Sequence, residues 1–293
     1  MKVLNKLIKK MENNKEITIG YWSTKGLGST LRMITIYSGR PLRAKIYKLD
    51  ALIKNNEIQF DGSTWHDKDK VHLKKRNSLI NLPYVEMYDK NNNKVLISQS
   101  LACLSFLGRQ LNMFGKDTSE ETYCDQLINE VNDLRGLLGK FCYTTFLDSK
   151  DEFNGAKDVM EKATNKINGK MLKFEEWLEQ KKQEETKLFL VGNSISAPDF
   201  SLFDILDFYN EFLRHYKFST NSNEEIYKSI GFPYLSKFYN AFTKLPKMQK
   251  YFNSELYKLP YQNKAALFSS ENQSIRWDPN KDIDNAQAEI LIN

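Results

Sequence analysis

Cysteine, histidine and long apolar runs are all scarce in this chain, and each scarcity removes a class of function. Three cysteines occur among 293 residues, Cys103, Cys124 and Cys142. Odd in number, set in apolar helical contexts and lacking C-x-x-C spacing, they fit neither a disulfide framework nor a thiolate metal site. Buried free thiols in a reducing compartment are expected instead. The three histidines, His66, His72 and His215, have no partnering cysteine and no H-x-x-x-H spacing, so no metal site is expected. No apolar run reaches the roughly eighteen residues that a membrane span needs.

What is present is ordinary for a soluble globular protein of two domains: 41% hydrophobic and 27% charged residues over 293 positions. The net charge of +6 is lysine-driven and spread along the chain, which reads as a solvated surface and not as a nucleic-acid footprint. Met1 to Glu16 places Val3, Leu4, Leu7, Ile8 and Met11 on one helical face and Lys2, Lys6, Lys9 and Lys10 on the other. This basic amphipathic extension reads as a surface helix or docking arm. A mitochondrial presequence is the lesser alternative, because the segment lacks arginine and serine. Ser269 to Asn293 reads as a polar tail, laid over the surface or disordered.

Between the ends the chain changes character. Ile17 to Trp22 alternates as a short strand, and Gly26-Leu27-Gly28 opens a helix to about Tyr37. Ala44 to Lys48 reads as a strand, followed by a polar loop carrying Trp65. Pro83 to Met87 and Lys94 to Ile97 form a hairpin that runs into a helix from Leu101 to Gln110. From Thr118 the pattern is helical: Thr118-Ser119-Glu120-Glu121 reads as a capping box, and Cys124, Leu127, Ile128, Val131, Leu134, Leu138 and Phe141 keep a helical period. One long helix is expected through Val159, Met160, Ala163, Ile167, Met171 and Trp177. Ser196-Ala197-Pro198-Asp199 caps a core helix with Phe203, Leu206 and Phe212, and Pro233 to Tyr251 reads as another amphipathic helix.

The candidate site lies in the first half. Leu82-Pro83 is an X-Pro bond at the start of a strand, one of the few sheet positions that accept proline, and a cis candidate. Gln99 and Ser100 gather polar groups at a helix N-terminus, which favours a carboxylate. An extended-peptide edge beside a carboxylate site describes a pocket for a small acidic peptide. Tyr21 stands at a strand end facing a helix start.

Gly20-Tyr21-Trp22 with Gly26-Leu27, then Trp65, Asn81-Leu82-Pro83-Tyr84 and Gln99-Ser100, in this order and spacing, resembles the mu-class glutathione transferases. The resemblance continues through Leu190-Val191-Gly192-Asn193 and Ser196-Ala197-Pro198-Asp199-Phe200, covering Ile17 to Phe268. It implies a thioredoxin-like domain over residues 17–110 followed by an all-helical domain over 118–268. It also implies glutathione as co-substrate, no metal, and a hydrophobic electrophile as second substrate. Tyr21 would donate to the glutathione sulfur. A free thiol is only a few per cent ionised at pH 7, and lowering its pKa by about two units asks for roughly 2.7 kcal/mol, within reach of a charge-assisted hydrogen bond.

By the same resemblance Trp22, Trp65 and a nearby lysine would hold the glycine end of glutathione, Leu82 its cysteinyl backbone, and Gln99 and Ser100 its γ-glutamyl end, with Leu27, Asn81 and Pro83 also among the glutathione-binding residues. The family's lysine falls at Asp69, leaving Lys68 or Lys70 to serve, and its opening arginine is Lys25. Asp133 matches an acidic residue contributed to the neighbouring subunit's site, and Tyr143 a tyrosine that assists electrophile addition. The homodimer expected for the family is weakened at Leu79, in place of an aromatic, and at Ser105, in place of an arginine. The family's C-terminal aromatic is replaced near Gln262-Asn263. The expectation is a cytoplasmic detoxifying transferase. The competing reading is a non-catalytic subunit of a larger assembly docked through its terminal extensions, and a glutathione-dependent isomerase would use the same thiolate.

Overall fold

The computed structural model describes residues 15–54, 57–144, 149–182, 189–263, 266–268 and 287–292. The expected N-terminal amphipathic helix, up to residue 14, and residues 269–286 of the expected tail lie outside the described residues. The chain divides into two compact units, with Met113 to Pro246 and Ala266 to Phe268 in the second and the other described residues in the first.

In the first unit, β1 (Ile17–Trp22) buries Ile17, Ile19 and Tyr21, the alternation of a strand with one face in the core. It pairs in parallel with β2 (Leu42–Tyr47), with α1 (Ser29–Ser38) as the crossover. Gly39, at φ 78°, ends α1 in the left-handed conformation that a side chain would resist. β5 (Tyr84–Tyr88) runs antiparallel to β1, and β6 (Lys94–Ser98) antiparallel to β5, before α3 (Ser100–Gln110). Between β2 and β5, β3 (Asp50–Lys54) and β4 (Glu57–Asp61) pair as a separate ribbon. A π-helical turn, Thr64–Asp69, and α2 (Lys70–Leu73) follow it. This is the expected thioredoxin-like order, with Trp65 on a helical turn instead of a loop.

The last residues of the chain differ from the tail expected of them. Gln287–Ile292 forms β7, antiparallel to β2, and the five-stranded sheet has the order β6-β5-β1-β2-β7. Ile290-Leu291-Ile292 suits a strand, and Glu289 meets Arg43 at 2.7 Å.

The second unit is helical. Its α4 (Thr118–Cys142) buries the expected stripe from Cys124 to Phe141, but its cap begins one residue earlier than expected. Asp117 accepts from the Glu120 N–H at 3.0 Å, and the Glu120 carboxylate accepts from Lys116 N–H at 2.9 Å. The single long helix expected next is two, α5 (Ser149–Thr164) and α6 (Lys170–Lys182). The Asn165 side chain takes the Ile167 and Asn168 amides, turning the chain and leaving Ile167 89% exposed. In α7 (Ala197–His215) the expected cap is present: the buried Asp199 carboxylate accepts from Ser196 N–H, Ser196 O–H and Leu190 N–H at 2.7 to 2.8 Å. After α8 (Ile226–Ser229), α9 (Pro233–Thr243) stops short of Tyr251, since Pro246 opens a separate 3-10 turn. In the first unit, the short α10 (Gln249–Phe252) and α11 (Glu255–Lys258) complete the helices.

Candidate active site

Sheet register decides which of the expected site residues meet. Gly20 pairs with Tyr84 across β1 and β5, and Tyr84 with Ser98 across β5 and β6. Their sequence neighbours therefore emerge together at one end of the sheet: Tyr21 from β1, Leu82-Pro83 before β5, Gln99-Ser100 after β6. The Leu82-Pro83 peptide bond is cis, as expected. Pro83 is buried, Leu82 half-buried and Asn81 exposed.

Tyr21 is buried but shaped by absences around it. A Cβ on Gly28 would meet its ring atoms at 2.8 Å, and a Cβ on Gly26, whose φ is +36°, would meet its hydroxyl at 2.8 Å. Only glycine lets the turn lie this close to the ring. Arg32, fully buried on α1, donates to the Thr24 carbonyl at 3.0 Å and stands 6.0 Å from the centre of the Tyr21 ring. Arg32 escaped the sequence reading; an arginine on an otherwise apolar helix face was the available signal.

Gln99 caps α3 in an unusual conformation, φ 76° and ψ 115°. A non-glycine residue held there stores strain, and such residues concentrate at functional sites. Gln99 is exposed and Ser100 half-buried, so the N-terminus of an eleven-residue helix is open to an anion.

The other end is closed. Trp65 is completely buried with Tyr47, Ile80 and Tyr84, while Trp22, Leu73 and Leu82 pack against the cluster. It stacks on Tyr84 with ring centres 5.7 Å apart and meets Tyr47 edge-on at 5.1 Å. The Tyr47 hydroxyl donates to Asp69 Oδ2 at 2.5 Å, Lys45 Nζ donates to the same oxygen at 2.9 Å, and the two phenols are 3.0 Å apart. Burial, aided by the Asp69 carboxylate, pushes both phenols well above the ordinary tyrosine range, so they stay protonated. The Trp65 indole N–H is buried with no hydrogen-bond partner among the described residues.

Here the site departs from expectation. Trp65 is a core residue and not an open ligand contact, because the Tyr47–Tyr84 pair encloses its ring. Lys68 is exposed and Lys70 half-buried, whereas Asp69, between them, joins the buried network. Lys45 and Tyr47, two residues apart on β2 and so on one face, were missed as a polar pair. Trp22 is half-buried, 6.1 Å from the His66 ring, and Leu27 is 37% exposed.

Asp133 and Tyr143 lie in the helical unit. Asp133 on α4 is solvent-facing and pairs with Lys170 on α6 at 3.1 Å. Tyr143, at the α4 C-cap, is 47% exposed and not core. Leu79, in the first unit, is 79% exposed on the loop before Asn81. Cys103, Cys124 and Cys142 are buried free thiols, as expected. Burial pushes Cys103 and Cys124 up to about 12, so none of this supplies a thiolate from the chain itself.

Comparison with known proteins bears on the fold and the family. Residues 132–255 match the family described as glutathione S-transferase, C-terminal domain. The chain is 30% identical to mouse glutathione S-transferase Mu 3 over 198 residues, 67% of this chain and 77% of that protein. It is 28% identical to mouse glutathione S-transferase Mu 6 over 87% of this chain and 99% of that protein. Chicken glutathione S-transferase 2 is 28% identical over 65% of this chain and 74% of its own length. With a thioredoxin-like sheet, a helical second unit and relatives of the mu class, the chain belongs to the glutathione S-transferase family.

Proposed function

We propose that the chain is a glutathione transferase that adds the glutathione thiolate to hydrophobic electrophiles, a detoxifying activity. The observation that carries this reading is the register that brings Tyr21, cis Leu82-Pro83 and Gln99-Ser100 to one end of the sheet. The Tyr21 hydroxyl donates to the sulfur, the backbone at Leu82 with Asn81 and Pro83 holds the cysteinyl segment, and Gln99 and Ser100 take the γ-glutamyl carboxylate. Trp22 and Leu27 flank the tripeptide. Trp65 backs the glycine end from within the core, and Lys68 or Lys70 would meet the glycine carboxylate. Residues 17–110 would form the glutathione domain and 118–268 the helical domain, with Tyr143 assisting the electrophile and Asp133 serving a partner subunit's site. We place the protein in the cytoplasm as a homodimer that Leu79 and Ser105 hold weakly.

The test is capture of the purified chain on immobilised glutathione, followed by conjugation of a chlorodinitrobenzene. Binding with turnover supports the reading. The enclosed Trp65 and the Asp133–Lys170 pair favour the second reading, a non-catalytic subunit of a larger assembly. Failure to bind glutathione, with recovery of the native chain in a larger complex, would establish it instead.

A further inference from the structure

The turn that encloses Tyr21 is fastened from outside by a lysine in an aromatic clasp. Lys25 is 1% exposed, and its ammonium lies 4.0 Å from the centre of the Tyr257 ring and 4.1 Å from that of Tyr261. In the same place Lys25 N–H donates to the Pro260 carbonyl at 2.7 Å and Gly26 N–H to the Tyr261 carbonyl at 3.0 Å. One turn further on, the Ser29 and Tyr251 hydroxyls are 3.2 Å apart. The segment from Tyr251 to Tyr261 is thus strapped across residues 25–29 by backbone bonds, a hydroxyl pair and a cation between two rings.

We propose that Lys25 is a positioning residue for thiol activation: clasped by Tyr257 and Tyr261, it locks the Gly26–Gly28 turn and thereby fixes the Tyr21 hydroxyl. This deepens the transferase reading and rests on it. A buried ammonium is a costly way to fill space, since a methionine of similar length would pack without desolvating a charge. Its retention therefore needs an electrostatic purpose. Two ring faces hold a cation directionally, which an aliphatic contact cannot do. The direction matters because Gly26 comes so close to the Tyr21 hydroxyl that a single methyl group would not fit between them. Any slackening of the turn is transmitted to that oxygen, and a donor displaced by a fraction of an ångström loses much of its hold on a thiolate. Arg32 is a second cation, 6.0 Å from the centre of the Tyr21 ring. It donates to the Thr24 carbonyl, so the two cations hold adjacent residues of the turn.

The experiment compares Lys25→Met and Lys25→Arg in the full chain. Lys25→Met should lower kcat for chlorodinitrobenzene conjugation roughly tenfold, leave KM for glutathione within about twofold, and leave the melting temperature unchanged or higher. Lys25→Arg, which keeps a cation between the rings, should recover kcat to within about threefold. A purely structural lysine gives the opposite pattern, with Met tolerated and melting lowered in step with any loss. Unchanged kcat in Lys25→Met, or no recovery in Lys25→Arg, overturns the proposal. Should Lys25→Met not fold, the pair Tyr257→Phe and Tyr257→Leu decides: Phe should retain kcat, Leu should lose it, and equal rates overturn the proposal. Amide hydrogen exchange on the chain without glutathione keeps the two readings apart. Gly26 N–H should exchange at least about tenfold faster in Lys25→Met than in wild type. Faster exchange in a chain that never conjugates glutathione refutes the transferase reading and leaves the clasp standing, whereas unchanged exchange refutes the clasp.

Discussion

The two ends of the candidate glutathione site are built in opposite ways. At the end formed by Gln99 and Ser100, polar groups stay accessible and the backbone holds a strained φ of 76° with nothing in the side chain capping the helix. At the end formed by Trp65 and Asp69, Asp69 is paired with Lys45 and Tyr47, and the Trp65 ring is completely enclosed. The first arrangement leaves its free energy unspent until an anion arrives. The second has already satisfied itself, apart from one indole N–H. The mu-class resemblance anticipates the first end better than the second, because Asp69, where the resemblance implies a lysine, pairs with Lys45 and Tyr47.

The sharpest way to break this contrast is Gly20→Ala, because Gly20 lies against Tyr84, which pairs with Ser98 on one side and stacks on Trp65 on the other. Its Cβ would lie 2.1 Å from a Tyr84 ring atom, and Tyr84 stacks on Trp65. A loss of about 3 kcal/mol is expected from overpacking, read by urea unfolding, together with loss of glutathione capture. A stable, active Gly20→Ala protein would mean that the two ends are uncoupled.

Next comes Tyr21→Phe. Turnover near neutral pH should fall about ten- to a hundredfold, roughly 1.4 to 2.7 kcal/mol of lost thiolate stabilisation, with glutathione binding retained. Steady-state kinetics at saturating glutathione measure it, and unchanged turnover removes Tyr21 from the chemistry.

Gln99→Gly tests the open end alone. Relieving the left-handed φ should stabilise the fold by about 1 kcal/mol, seen as a higher melting temperature, while loss of the amide weakens glutathione binding. Stabilisation without weaker binding would leave the strain with no functional meaning.

Asp69→Asn tests the closed end and is expected to be gentler. Releasing Lys45 toward the glycine carboxylate should lower KM for glutathione about threefold, the scale of a partly exposed ion pair. An increase in KM would show instead that the network supports the site by holding Trp65.

The smallest effect is an absence of reaction. With Cys103 and Cys124 pushed up to about 12 by burial, the native chain free of glutathione should not be alkylated by iodoacetamide near pH 7.5. Mass spectrometry after alkylation checks this. Labelled Cys103 or Cys124 would show a thiolate of the chain's own, and the reacting sulfur could then no longer be assigned to glutathione.

Much of this was readable without coordinates wherever the determinants are neighbours in sequence. Ser196 and Asp199 cap α7 because they lie three residues apart, and the α4 stripe is buried because it repeats with the helical period. The helix break at Asn165 is signalled by Asn165 and Gly169, but Ile167 continues the apolar spacing across it, so periodicity and turn chemistry point opposite ways there. The Tyr47–Asp69–Lys45 network was hidden for another reason: β2 and the turn after β4 are separated by a ribbon whose presence the polar loop did not reveal.

The sequence by itself determined the order of elements, the cis proline candidate, the thiol status of the cysteines and the family resemblance, all of which depend on local spacing and residue type. Only the tertiary structure decided that the final residues form β7 beside β2, that Trp65 is enclosed, and that Lys25 lies between Tyr257 and Tyr261. Each of these joins residues far apart in the chain, and such pairings follow from strand register and loop closure, whose energies no local stretch of sequence contains.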